Sequence, residues 1–370
     1  MINRRTLLAG VATCFAVPTL LRAETEPYVL GTLFPMTGLL AELGGVYTNA
    51  VALALDHITA DGRLKRPIVL RTQDSQSTPQ GGAVGMSKLV NVDRAICVLT
   101  GITGVIKAAE PIGTRAKVMM LNGGGVGPDL AGLSPYLWNV IPLANQELPT
   151  ALGWMKAAGK KRVALIYLDD PLGNAMLKGL RELLPGIGGA LVGEFSAAPS
   201  AQQFSAIVAK VRETNPDAVY VASYGTQQTQ IFKQLRDNGI TQQIITYSVG
   251  GTPSVATLPE ADGLLFTSQA ADWSKPDART QRFVEGWRSK YKSDPTTYAQ
   301  NYYNGALLFS EMIARLEPAG VPIDGERLRE SIQNGEYELV GGKARFANNG
   351  VVGMPIQLNQ VKNSKFQKVG

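Results

Sequence analysis

The 370-residue chain holds one histidine, His57, and two cysteines, Cys14 and Cys97. So few ligands exclude a zinc site built on Cys and His, and any Ser-His-Asp or Cys-His mechanism not running through His57. His57 falls late in a helical pattern beside Asp56 and reads as a satisfied structural histidine. Charge of one sign is scarce too. The net charge is +6, and removing residues 1–23, with Arg4, Arg5, Arg22 and no acid, leaves 33 basic against 30 acidic residues, or +3. That balance is too mild for a nucleic-acid or anionic-membrane partner. No repeat at the usual period of about 20–50 residues is visible. What is present is ordinary for a globular protein: 45% hydrophobic and 18% charged residues, in a length that suggests two domains of about 150 residues each.

Residues 1–23 have the layout of a secretory signal. Arg4 and Arg5 precede an apolar run from Leu7 to Leu21, and the first acid is Glu24. The run is interrupted by Pro18 and is shorter than the roughly 20 residues needed to span a bilayer, so cleavage near Ala23 is expected. Arg4-Arg5 before Leu7-Leu8 resembles the twin-arginine export pattern. Cys14, early in the run and behind Thr13, is poorly placed for lipid attachment. The mature chain then keeps only Cys97, read as a small buried hydrophobe with no disulfide. It is expected to be soluble and periplasmic.

Strand-like and helix-like runs then alternate. Strands are expected at 28–33, 68–72, 95–100 and 117–121. Helices lie between them, one carrying Val46, Ala50, Ala54 and Ile58 on one face and one starting at Pro79 behind a Thr78 cap. This β-α-β rhythm predicts a parallel sheet covered by helices. A second series starts near residue 142, with strands at 162–168, 190–195, 218–222 and 243–247. The tail leaves the rhythm, with helices at 276–290, 297–316 and 325–333 and short strands at 343–346 and 356–361.

Gly123-Gly124-Gly125-Val126-Gly127 follows a strand. It lacks the spacing of a nucleotide loop and reads either as a turn or as backbone that a ligand approaches at the carboxyl end of a strand. Thr100-Gly101-Ile102-Thr103-Gly104 follows another strand. There Thr103 and helix-start N–H groups serve either as a cap or to hold a carboxylate or amide oxygen. Asp169-Asp170 before Pro171 reads as turn and cap chemistry. Tyr298, Tyr302 and Tyr303, at helical spacing, read as packing, whereas Tyr224 stands at a strand end where a ring can cover a ligand.

Taken in order, these features resemble the branched-chain amino-acid-binding proteins of ABC importers. The residues that carry the resemblance are Pro35-Met36-Thr37-Gly38, Gly44-Gly45 with Asn49 and Ala50, Asp74, Ala83–Leu89, Asp170–Gly173, Asp217–Tyr220 and Thr297–Ala306. The resemblance covers 27–370. It implies an α/β protein of two Rossmann-like lobes joined by a three-strand hinge, lobe 1 from 27–141 plus 270–355 and lobe 2 from 142–269 plus 356–370. It also implies a small-molecule ligand in a cleft that closes by hinge motion, and an ABC permease of the inner membrane that reads the closed form. By position, it implies ligand contacts from Leu43, Thr103, Gly104, Gly124, Gly125 and Val126 in lobe 1 and from Leu172, Tyr224 and Ser248 in lobe 2.

Three positions depart from the family's pattern. Ser248 stands where amino-acid binders usually carry an acid for the ligand ammonium. Leu172 stands where an aromatic is common, and Val126 where a Thr hydroxyl is common. A buried ammonium without its carboxylate is costly. The expectation is therefore a small organic solute other than a standard α-amino acid, held by a monomer that needs no cofactor or metal and catalyses nothing. A sensor subunit acting on a membrane receptor or regulator is the alternative, and an enzyme on the same scaffold has no convincing acid-base constellation.

Overall fold

The computed structural model describes residues 26–369, so the export signal, Cys14 and the cleavage point near Ala23 lie outside the described residues. The first series runs β1 (Tyr28–Phe34), α1 (Ala41–Asp61), β2 (Ile68–Asp74), α2 (Pro79–Asn91), β3 (Cys97–Thr100), α3 (Thr103–Arg115), β4 (Met119–Asn122) and β5 (Leu137–Asn139). The strands form a parallel sheet in the order β2-β1-β3-β4-β5. β3 and β4 are buried along their whole length, which their unbroken apolar character permits once helices cover both faces. Cys97 in β3 is fully buried, and desolvation pushes its thiol pKa well up, so it is inert packing.

The second series comprises α4 (Ala144–Ala157), β6 (Arg162–Leu168), α5 (Pro171–Leu183), β7 (Ala190–Ala197), α6 (Ser205–Glu213), β8 (Ala218–Ala222), α7 (Gly225–Asp237), β9 (Gln243–Thr246), the short α8 (Pro253–Thr257) and β10 (Leu265–Gln269). After it come α9 (Ala278–Tyr291), α10 (Thr297–Leu316), α11 (Gly325–Gln333), a hairpin of β11 (Glu336–Leu339) and β12 (Gly342–Arg345), then β13 (Ile356–Lys362) and β14 (Lys365–Lys368). The second sheet has the order β14-β13-β10-β9-β8-β6-β7, with β13 and β14 antiparallel. The chain therefore passes between the two sheets' lobes three times: after β5, after β10 and before β13.

Helix starts follow short-range chemistry. The Thr78, Asp170, Asp277, Thr296 and Asp324 side chains each accept a first-turn N–H, and Pro79 and Pro171 occupy positions whose N–H would otherwise be orphaned. α10 is buried over most of its length and packs on α1. Its Tyr303 hydroxyl meets His57 Nδ1 at 2.8 Å, which makes His57 the structural residue expected. Among the described residues no helix is long and apolar enough to cross a membrane.

Candidate binding cleft

In open α/β sheets ligands bind beyond the carboxyl ends of the strands, where the strand order reverses. Here the segments following β1, β3 and β4 face those following β6, β8 and β9 across one narrow cleft. Leu43, Tyr47, Ile102, Thr103 and Gly124–Val126 form one wall, Asp170, Leu172, Tyr224, Tyr247 and Val249 the other, and Tyr298 of α10 stands between them.

The first wall is built on strain and on one asparagine. Ile102 has φ 68°, a left-handed conformation costly for a β-branched residue, and it sets the start of α3 without any side-chain cap. Asn122, fully buried at the end of β4, accepts the Gly124 and Gly125 N–H groups at 3.0 and 2.7 Å and donates to Asn139 Oδ1 at 2.8 Å. Gly127 N–H donates to Thr103 Oγ1 at 3.0 Å. The glycine loop thus spends these N–H groups internally, so what it offers a ligand is room. A Cβ on Gly124 would stand 2.7 Å from the Tyr302 hydroxyl and 2.8 Å from that of Tyr47.

The second wall is built on helix α5 and two strand ends. Asp170 caps α5 by accepting Gly173 N–H at 2.7 Å, as its cap reading implied, and it also accepts the Tyr224 hydroxyl at 2.5 Å. Burial raises the Asp170 pKa, and both hydrogen bonds oppose that rise. Behind the wall lies Glu147 of α4, fully buried. Its Oε2 accepts Ser248 N–H and the Thr267 hydroxyl, each at 2.9 Å, while Oε1 has no partner. No Lys, Arg or His bonds to it, and desolvation pushes its pKa up to about 7.

Of the positions singled out by sequence, Leu43, Thr103, Gly124, Gly125, Val126, Leu172 and Tyr224 are brought together on the cleft. Gly104 lies one residue into α3 beside Pro79, and Ser248 lies under the surface, its Oγ 3.5 Å from the Tyr298 hydroxyl. Tyr47, Asp170, Tyr247 and Tyr298 were not singled out as cleft residues. Tyr47 is legible in hindsight, because it falls four residues after Leu43 on one helical face. Tyr302 and Tyr303 pack as expected, whereas Tyr298 reaches the cleft.

The two walls are also tied at the rim. Glu42, in the first turn of α1, accepts both the N–H and the hydroxyl of Ser254 at the start of α8, at 2.8 and 2.5 Å. This bond exists only when the lobes are together. Glu42→Ala is expected to speed dissociation of a bound solute by about five-fold, a modest factor because the pair is exposed. Stopped-flow dissociation checks this, and an unchanged rate rejects the tie. Among the described residues no group of three or more His, Cys, Asp or Glu is placed to hold a metal ion.

Comparison with known proteins agrees with this fold. The chain is 22% identical over 342 residues to the leucine-specific-binding protein of Salmonella typhimurium, covering 91% of this chain and 90% of the relative. A solute-binding protein of an ABC transporter from R. palustris, solved with benzoate, superposes with a TM-score of 0.84 at 19% identity, covering 93% of this chain and 96% of that one. The branched-chain amino acid transporter substrate-binding protein of Streptococcus pneumoniae, solved with isoleucine, superposes at 0.83 with 20% identity, covering 93% and 99%. The family model described as periplasmic binding protein matches residues 27–366. Nearly the whole chain is matched, and it belongs to the periplasmic binding protein family.

Proposed function

We propose that this protein is an exported, monomeric binding protein that captures a small organic solute other than a standard α-amino acid and delivers it to an ABC importer, with no catalytic step of its own. The lobes are 27–141 plus 270–355 and 142–269 plus 356–370, and the export signal is removed near Ala23. The sheet to which each strand belongs supports this division.

One observation carries the ligand reading. Among the described residues the only carboxylate lining the cleft is Asp170, already engaged by Gly173 N–H and the Tyr224 hydroxyl, and position 248 offers a neutral serine turned into the protein. An ammonium entering this cleft loses its hydration and finds a serine at position 248 and, on the wall, only Asp170, whose two oxygens each already accept a hydrogen bond, so it lacks a dedicated counter-charge. Relatives of the same fold are known with benzoate as well as with isoleucine, so the scaffold itself accepts either class.

A thermal-shift screen of residues 24–370 against amino acids, amides, aromatic acids and short hydroxy acids tests this. A solute at 100 times its Kd adds about 2.7 kcal/mol of stability, which is a visible shift. A shift confined to branched-chain amino acids would keep the binding function and overturn the ligand reading.

A further inference from the structure

The rim of the first lobe carries a segment with little freedom. Asp74, at the end of β2, accepts the Met36 and Thr37 N–H groups at 3.0 and 3.2 Å and the Thr37 hydroxyl at 2.6 Å. It also accepts Gln76 N–H at 2.7 Å. Ser77 Oγ donates to the Thr37 carbonyl oxygen at 3.0 Å and accepts Leu40 N–H at 3.1 Å. Gln76 and Ser77 both hold positive φ, 53° and 58°, a costly conformation that persists where surrounding bonds over-determine it. Leu39 is thereby fixed from both sides, through Thr37 and through Leu40.

What Leu39 meets belongs to the other lobe. Its carbonyl oxygen lies against Gly225, the first residue of α7. A Cβ at Gly225 would overlap that oxygen and lie 3.0 Å from the Leu39 carbonyl carbon. Both partners are backbone, so no side-chain rotation makes room. Tyr224 gives α7 no side-chain cap, and a carbonyl oxygen beside the positive end of a helix is favourable. Each partner is one residue from the cleft: Leu40 lines one wall and Tyr224 the other. The contact therefore fixes the spacing of the walls.

We propose that Leu39 and Gly225 form the stop at which the two lobes finish closing, with Asp74 as the positioning residue that holds it. Closure to this width requires that position 225 carry no side chain. The assignment rests on the proposed capture of a solute between the lobes, but its test needs no solute.

Glu42→Cys with Ser254→Cys places two thiols where the lobes meet at the rim. In the mature chain, residues 24–370, the only other thiol is Cys97, which is fully buried and does not compete. The rate at which a short bis-maleimide joins the pair, in solute-free protein, reads how often the lobes come together. Gly225→Ala in this background is expected to slow joining about ten-fold or more. Gly225→Asn should do the same, because asparagine tolerates a positive φ yet still brings a Cβ. Gly239→Ala, just beyond the other end of α7, is the control. Its φ is 76° and an added Cβ meets nothing within 4 Å, so it carries strain without contact and should join at the parent rate. Asp74→Ala frees the Leu39 segment, so adding it to Gly225→Ala should restore most of the lost rate. Parent-rate joining in either Gly225 variant would overturn the stop, as would a parent pair that never joins. Failure of Asp74→Ala to restore the rate would strike Asp74 from the assignment. None of these outcomes decides the binding function, which falls only if the thermal-shift screen finds no solute.

Discussion

Glu147→Gln is expected to stabilise the protein at pH 8 and to change little at or below pH 4.5. The folded state holds the Glu147 proton up to about pH 7, whereas the unfolded chain releases it near the ordinary value of 4.5. Between those two values the folded state binds more protons, so stability falls as pH rises, and above pH 7 the whole loss is present. A shift of this size corresponds to about 3 kcal/mol, or about 4 °C in Tm for a chain of this length. Glutamine keeps the carbonyl that accepts Ser248 N–H and the Thr267 hydroxyl, and it places an amide where Oε1 and the nearby Tyr220 hydroxyl both lack partners. Melting curves of both proteins from pH 4.5 to 8.5 check the result. Parallel pH profiles would show that the carboxyl is not strained by burial.

Gly173→Ala is expected to cost about 3 kcal/mol or more and to abolish solute binding together. A Cβ at Gly173 would overlap the Leu168 carbonyl oxygen and lie 2.9 Å from the Leu168 carbonyl carbon. Both belong to the backbone of β6, so no side chain can yield. The first turn of α5 must then lift from the strand, carrying Leu172 and the Asp170 cap away from the cleft. Gly186→Ala is the control: a Cβ there meets nothing within 4 Å. It should stay within about 0.5 kcal/mol of the parent. Denaturant melts of the two variants settle the comparison, and equal midpoints would reject the argument.

Much of the fold is legible because its signals are local. Helix α2 begins where Thr78-Pro79 says it should, α10 and α11 match their apolar periods at both ends, and β6 is bounded as expected at Arg162 and Leu168. Two strands escape. β5 is only three residues long, and β10 reads poorly because Thr267, Ser268 and Gln269 are polar. Those three are nonetheless buried, because Glu147, Asn359 and α10 supply partners from far along the chain. A strand satisfied by distant groups carries no apolar alternation to read. The site divides the same way. Loops that follow strands, such as Gly123–Gly127 and Thr103, announce themselves. Tyr298 does not, since whether a tyrosine on a buried helix packs or faces a cleft depends on where the helix lies against the other lobe. The glycine loop was legible as a place and not as a mechanism: its N–H groups turn toward Asn122.

The interleaving of the chain between the two sheets has a consequence for synthesis. β10 is made by residue 269, but its antiparallel neighbour β13 spans Ile356–Lys362 and the edge strand β14 ends at Lys368. On the ribosome, some ninety residues must follow β10 before its open edge is paired. The first sheet waits as well, since α10, which packs on α1, is not complete until Leu316. Neither lobe can mature while the chain is still growing, and neither can be excised as a continuous stretch of sequence. Until the last strands emerge, β10 presents bare N–H and C=O groups to any other nascent chain. A stop codon introduced near residue 355 should therefore yield aggregated material, not a shortened folded protein.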